Sequence, residues 1–235
     1  MREFLKRLLG PSASEKEEEW YELVAEAVRE LETRLPRLTT EVLSESPTFG
    51  RAVSDASRIA LRTRDNEKLQ ALLNAIQNSA LPDPPGGAVQ FFFLRFVDEL
   101  TPVHLQVLTL LNDPREWLRT HGIAEDTFRF STIESFVGTC MPVMGGRAEM
   151  CGRIFRTLQA RGLVQQHRAG ALMTHDGLLA PRTTAMGRQF LQYIAKPRLE
   201  ESSSASGPPP AEASVPPAET ATTRNAAANG STSDR

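Results

Sequence analysis

The stretch 147–193 constrains this chain most, because its punctuation leaves few ways to fold it. In RAEMCGRIFRTLQA, Met150, Ile154 and Leu158 recur at helical spacing with Cys151 and Phe155 beside them, and Gly162 stops the helix. Arg153 and Arg156 fall on its other side, with Glu149 and Ala160. Segments 163–168 and 178–183 then pair as a hairpin with a long tip. Pro181 has no N–H to donate, so the second strand is confined to an edge. Thr183 or Thr184 caps a last helix in which Met186, Phe190 and Ile194 face inward, and Pro197 ends it. The predicted order is helix, hairpin, helix.

The chain ahead of this stretch reads as helices. Ser12 or Ser14 caps a helix rich in glutamate at its start, where the helix dipole favours negative charge. Trp20, Val24, Ala27, Leu31 and Leu35 give it one apolar face, and Pro36 ends or kinks it. Too few heptads are present for a coiled coil, so this face packs on its own domain. Pro47 opens a second helix with Phe49, Val53, Ala56 and Ala60 inside, and Asp65 caps a third carrying Leu69, Leu72, Leu73 and Ile76. LPDPPGG, with three prolines and two glycines, is a loop. In AVQFFFLRFVDEL, Phe92, Phe96 and Leu100 share a face. Thr101-Pro102 restarts the helix, and Asp113-Pro114 caps another that Gly122 stops. A short strand at 128–130 and a short helix capped by Ser131 or Thr132 lead to the central helix.

These elements predict a mainly α protein. The short N-terminal helix and linker occupy 1–13, a helical bundle 14–100, a module with a small β-hairpin 101–196, and a disordered tail 197–235. The tail has almost no large apolar residue, so burial cannot offset the entropy of ordering it. Aromatic residues are only 6% of the chain, so the core is built mainly from Leu, Val, Ile, Ala and Met. The longest apolar-rich run, 88–96, is broken by Gln90 and Arg95 and falls far short of the roughly 20 residues a membrane span needs. MREFLKRLLG has mixed charge and reads as a short amphipathic helix rather than a signal peptide, which makes the cytoplasm the expected compartment.

Charge is unevenly distributed. Residues 145–198 carry nine basic and two acidic residues, a net +7, whereas the rest of the chain carries −9. A basic module on an acidic scaffold points to nucleic acid, although arginine also pairs structurally with acidic neighbours.

From Thr101 onward the order of elements resembles the winged helix-turn-helix fold. RGLV directly after the central helix and RTTAMGRQFL before the last one carry the likeness, which spans about 95 residues. The chain from Ser46 to Ile194 also resembles a set of uncharacterised bacterial proteins, and its front half has a weaker likeness to abortive-infection alpha-type proteins of phage defence. The shared features there are the LLNAI helix, the phenylalanine-bearing helix and the L-T-P restart. The winged-helix resemblance implies double-stranded DNA as partner, a regulatory role and a homodimer. The helix 147–161 would enter the major groove, with Arg147, Arg153 and Arg156 on phosphates or guanine edges and Arg168 and Arg182 on backbone. Two features pull the other way. The helix start lacks polar base readers, and the hairpin tip AGALM is apolar. Fold does not fix function, so a non-catalytic protein-interaction or phage-defence component stays open beside the DNA reading, and solvated arginines beside both. Leu172 and Met173 either fold back on the N-terminal helices or form a patch for another protein.

Catalytic and metal constellations are not legible. His104, His121, His167 and His175 are scattered, Cys140 and Cys151 lack Cys-x-x-Cys spacing, and no phosphate-binding or nucleophile motif is present. Gly145-Gly146 reads as a turn. No enzyme activity, cofactor or metal is expected.

Overall fold

The computed structural model describes residues 1–9, 14–166, 168 and 170–198. The expected disordered tail, apart from Pro197 and Arg198, lies outside the described residues, as do Ser12 and His167. The described chain forms twelve α-helices and one two-stranded antiparallel sheet. No described helix is long and apolar enough to cross a membrane.

The front half is α1 (Arg2–Leu9), α2 (Glu15–Arg34), α3 (Thr40–Ser44), α4 (Pro47–Ala60), α5 (Asn66–Ala80) and α6 (Gly87–Glu99). Ser14 accepts from the Glu17 amide and Ser46 from the Phe49 amide, which satisfies first-turn donors that the helices leave open. Asp65 sits at the N-cap of α5 without a side-chain cap bond. The short helix α3 follows Pro36 unforeseen, capped by Thr39. Polar cross-links pin the helices together: Trp20 Nε1 donates to Ser57 Oγ at 2.8 Å and Gln77 Nε2 to the Ala27 carbonyl at 2.8 Å.

The second half is α7 (Pro102–Asn112), α8 (Pro114–Thr120), β1 (Phe130–Thr132), α9 (Ile133–Cys140), α10 (Ala148–Ala160), β2 (Leu172–Thr174), α11 (His175–Leu179) and α12 (Ala185–Ile194). Asp113 caps α8, Thr132 caps α9 and Thr184 caps α12. Gly122 and Gly162 end α8 and α10 with φ of 65° and 69°, a region open to glycine at no steric cost.

α12 ties the two halves together. Phe93 lies 5.6 Å from both Phe190 and Tyr193, and Phe96 lies 5.6 Å from Phe190. Asn74 Nδ2 donates to the Ile194 carbonyl at 2.8 Å, and Asn78 Nδ2 to the carbonyls of Tyr193 at 2.9 Å and Ala195 at 2.8 Å. Those carbonyls at the end of α12 would otherwise lack partners. One continuous buried cluster runs from Leu5 to Ile194.

The hairpin differs from expectation. Among the described residues, segments 163–168 and 178–183 are joined by the bridge between Val164 and Thr183 and by Gln165 N donating to Arg182 O at 2.9 Å, without a ladder between them. The chain from His175 to Leu179 is helical instead. Leu178 and Leu179 are both buried, which a one-faced strand cannot achieve for adjacent residues but a helical turn can. Thr174 starts that turn by accepting from the Gly177 amide at 3.3 Å. The tip residues Leu172 and Met173 do not fold back on the N-terminal helices. They form β2, whose partner is β1, with Phe130 opposite Thr174 and Thr132 opposite Leu172.

Three expected core residues are exposed: Phe92 at 55%, Met150 at 43% and Met186 at 38%. Each was the first member of a three-residue series spaced by four positions. Four residues turn a helix about 400°, so such a series drifts about 40° per step and its first member swings outward. The buried stripes run instead through the next residue, Phe93, Cys151 and Gly187.

Candidate nucleic-acid interface

α10 packs on α9 and α7 through Cys151, Ile154, Phe155 and Leu158. Its opposite face is solvent-exposed and carries Arg147, Glu149, Met150, Arg153 and Arg156. Arg147 occupies the N-cap position, after a turn in which Gly146 adopts a φ of 70°. Arg153 pairs with Glu149 on the same helix at 2.9 Å, with both side chains more than two-thirds exposed. Such a pair one helical turn apart contributes only about 0.3–0.5 kcal/mol, so it does not withhold Arg153 from a stronger anionic partner. Arg147, Arg156 and Arg168 are exposed and form no ion pair among the described residues.

The fifth sequence candidate is placed differently. Arg182 is half-buried, and one Nη donates to the Gly177 carbonyl and to Met173 Sδ at 3.0 Å. Its backbone N–H donates to Leu111 O at 2.8 Å, and its Nε is buried without a hydrogen-bond partner among the described residues. Burial holds its pKa below the ordinary arginine value. Arg182 thus ties β2 and α11 to α7, and its guanidinium is taken up by these internal contacts.

Other members of the basic segment are engaged internally. Arg161 meets Glu99 of α6 at 2.6 Å, and Lys196 meets Glu30 of α2 at 3.2 Å. The Lys196 contact holds the Glu30 carboxyl below its usual range. Arg188 donates to the Thr183 carbonyl at 3.0 Å. The local excess of positive charge is therefore split between a free face on α10 and pairs that fasten this segment to the front helices.

The sheet adds an apolar surface that joins Leu172, which the sequence offered for a protein patch, to Phe130, which it did not. Phe130 and Leu172 share its outer face at 73% and 76% exposure, because β1 and β2 pair in the register that puts both on one side. No residue pattern could have shown this, since each strand is only three residues long.

The remaining candidates for chemistry are structural. Cys140 and Cys151 are buried, and burial pushes the Cys140 thiol up to about 12. The thiolate, the reactive form, is thereby disfavoured. His104 Nδ1 lies 2.7 Å from Thr101 Oγ1 and 3.4 Å from the Thr101 amide at the start of α7. His121 stacks on Trp117 at 4.1 Å, and His175 Nδ1 contacts the Phe128 carbonyl at 2.8 Å. Among the described residues no three His, Cys, Asp or Glu side chains are grouped so as to hold a metal ion. Compared with known proteins, the chain matches no family model, no curated protein and no solved structure at a significant level.

Proposed function

We propose that the protein binds double-stranded DNA through a winged-helix-like unit, with α10 in the major groove and Arg147, Arg153, Arg156 and Arg168 meeting phosphates or guanine edges. The observation that carries this reading is the state of those arginines. All four are exposed, and among the described residues none is engaged by an acid of the front helices, in contrast with Arg161 and Lys196. The succession β1, α9, α10, β2, with the two strands antiparallel, supports it as well. Arg182 has no place in this interface. Fluorescence anisotropy of a labelled duplex with R153A/R156A is the test. The double variant keeps its fold, because both side chains are exposed, and loses affinity. Unchanged affinity clears α10 of the role.

A second reading rests on Phe130 and Leu172. An exposed apolar pair on a small sheet is a surface for protein contact, and it favours a non-catalytic interaction component, of the phage-defence kind that the front half resembles.

A further inference from the structure

A cleft of about 590 Å³ opens where the end of α5, α7 and the end of α12 meet. Its size falls in the range typical of small-molecule sites, about 300–1,000 Å³. Three cations line it, Arg188, Lys196 and Arg198, and no carboxylate does. Lys196 is shared with Glu30, which lies outside the lining, and Arg188 already donates one Nη to the Thr183 carbonyl at 3.0 Å, which leaves its other guanidinium donors for a ligand. Arg198 forms no ion pair among the described residues. Asn112 adds a neutral donor. Its Oδ1 accepts from the buried Thr183 hydroxyl at 2.9 Å, which fixes the amide, and its Nδ2 donates to no other described residue. Leu81 and Leu191, both half-buried, supply apolar wall.

The cationic end of the cleft is held in place. Asn78, another lining residue, donates to the Tyr193 and Ala195 carbonyls, which fastens the chain just before Lys196 and Arg198. Three lining cations, a fixed amide donor and an apolar wall together suit an anionic head on a compact, partly apolar body. Guanidinium groups in particular match the geometry of a phosphate. We propose that this cleft binds a phosphorylated small molecule of about mononucleotide size. The phosphate lies among Arg188, Lys196 and Arg198, and the apolar part lies against Leu81 and Leu191. The cleft is separate from the exposed face of α10, so this proposal does not rest on the DNA reading. α7 packs against both α12 and α10, so the cleft has a physical connection to that face.

The test is calorimetric titration of the full chain with AMP, with adenosine and inorganic phosphate as parallel probes, for the wild type, R198Q and R188Q/R198Q. AMP should bind saturably, inorganic phosphate more weakly and adenosine most weakly. Loss of one charge-assisted contact in R198Q should reduce AMP affinity about tenfold. Arg198 is exposed beyond α12, so R198Q should unfold at the wild-type temperature. Equal binding of AMP and adenosine, a non-saturating AMP response, or wild-type affinity in R198Q would each overturn the proposal. A DNA duplex that displaces AMP while losing affinity equally in R198Q would also overturn it, because the cleft cations would then belong to a DNA surface. Loss of duplex binding in R153A/R156A with AMP binding intact would sustain it.

Discussion

Gly187 is the sharpest place to perturb this architecture. A Cβ built there would stand 2.1 Å from the Leu163 carbonyl oxygen and 3.0 Å from its carbon. Both atoms are backbone, so no side-chain rotation relieves the overlap. The same oxygen accepts from the Thr184 amide at 3.0 Å, and Phe190 lies one turn further along α12 with no exposure. G187A must therefore push the start of α12 away from the segment that follows α10. Overpacking of this kind costs about 1–3 kcal/mol, and weakening the Thr184 hydrogen bond adds about 1 kcal/mol. The better helix propensity of alanine returns about 1 kcal/mol. The net loss should be about 1–3 kcal/mol, or roughly 2–12 °C in Tm for a chain of this size. Gly152 in α10 is the control, since a Cβ there meets only the end of the Arg156 side chain at 3.7 Å. G152A should gain up to about 1 kcal/mol. Urea unfolding followed by the fluorescence of Trp20 and Trp117 reads both variants. If G187A proves as stable as G152A, α12 does not approach the backbone at Leu163 so closely, and the junction after α10 is wrongly described.

Two further outcomes follow from the geometry. His104 accepts at the start of α7 as a neutral ring, and burial, with Lys68 nearby, holds its pKa below the ordinary 6.5. A depressed folded pKa means that the unfolded chain binds more protons, so this contribution is full above 6.5 and is lost as pH falls through the folded value. Urea midpoints should show lower stability at pH 5 than at pH 7 from this group, and H104Q should lack that part; an identical pH response in H104Q would refute the assignment. On the sheet, F130S/L172S should leave stability within about 0.5 kcal/mol of wild type, since both side chains are already exposed. If this face joins two copies, sedimentation should show a wild-type dimer and a monomeric variant, and equal masses would remove the face from self-association.

Much of the helical scaffold was legible because its punctuation is local. Ser14, Asp113, Thr132 and Thr184 cap helices, Pro47 opens one, and Gly122 and Gly162 end two, each through its own nearby backbone. What the sequence misplaced depended on tertiary partners. β1 and β2 lie about 40 residues apart and are three residues each, too short to carry an alternating pattern. Thr174 can begin a strand or cap a helix with equal local ease, and the burial of both Leu178 and Leu179 decides for the helix. Among the arginines, spacing put Arg153 and Arg156 on a free face correctly, because a helix fixes direction. Arg182 sits in an irregular segment, so nothing local showed that its guanidinium turns inward to Gly177. The pairing of Arg161 with Glu99 joins residues 62 positions apart and was invisible for the same reason.

The central claim is that the free arginines of α10 and of the segment after it neutralise DNA phosphates. Its most direct test is the affinity for a duplex as a function of salt. With Arg147, Arg153, Arg156 and Arg168 engaged, log K against log salt should have a slope of about −3 to −4, at about −0.9 per phosphate contact. R153A/R156A should flatten the slope by about 2 while leaving the unfolding transition in place. A duplex affinity that does not respond to salt, or no measurable binding at low salt, would contradict the account.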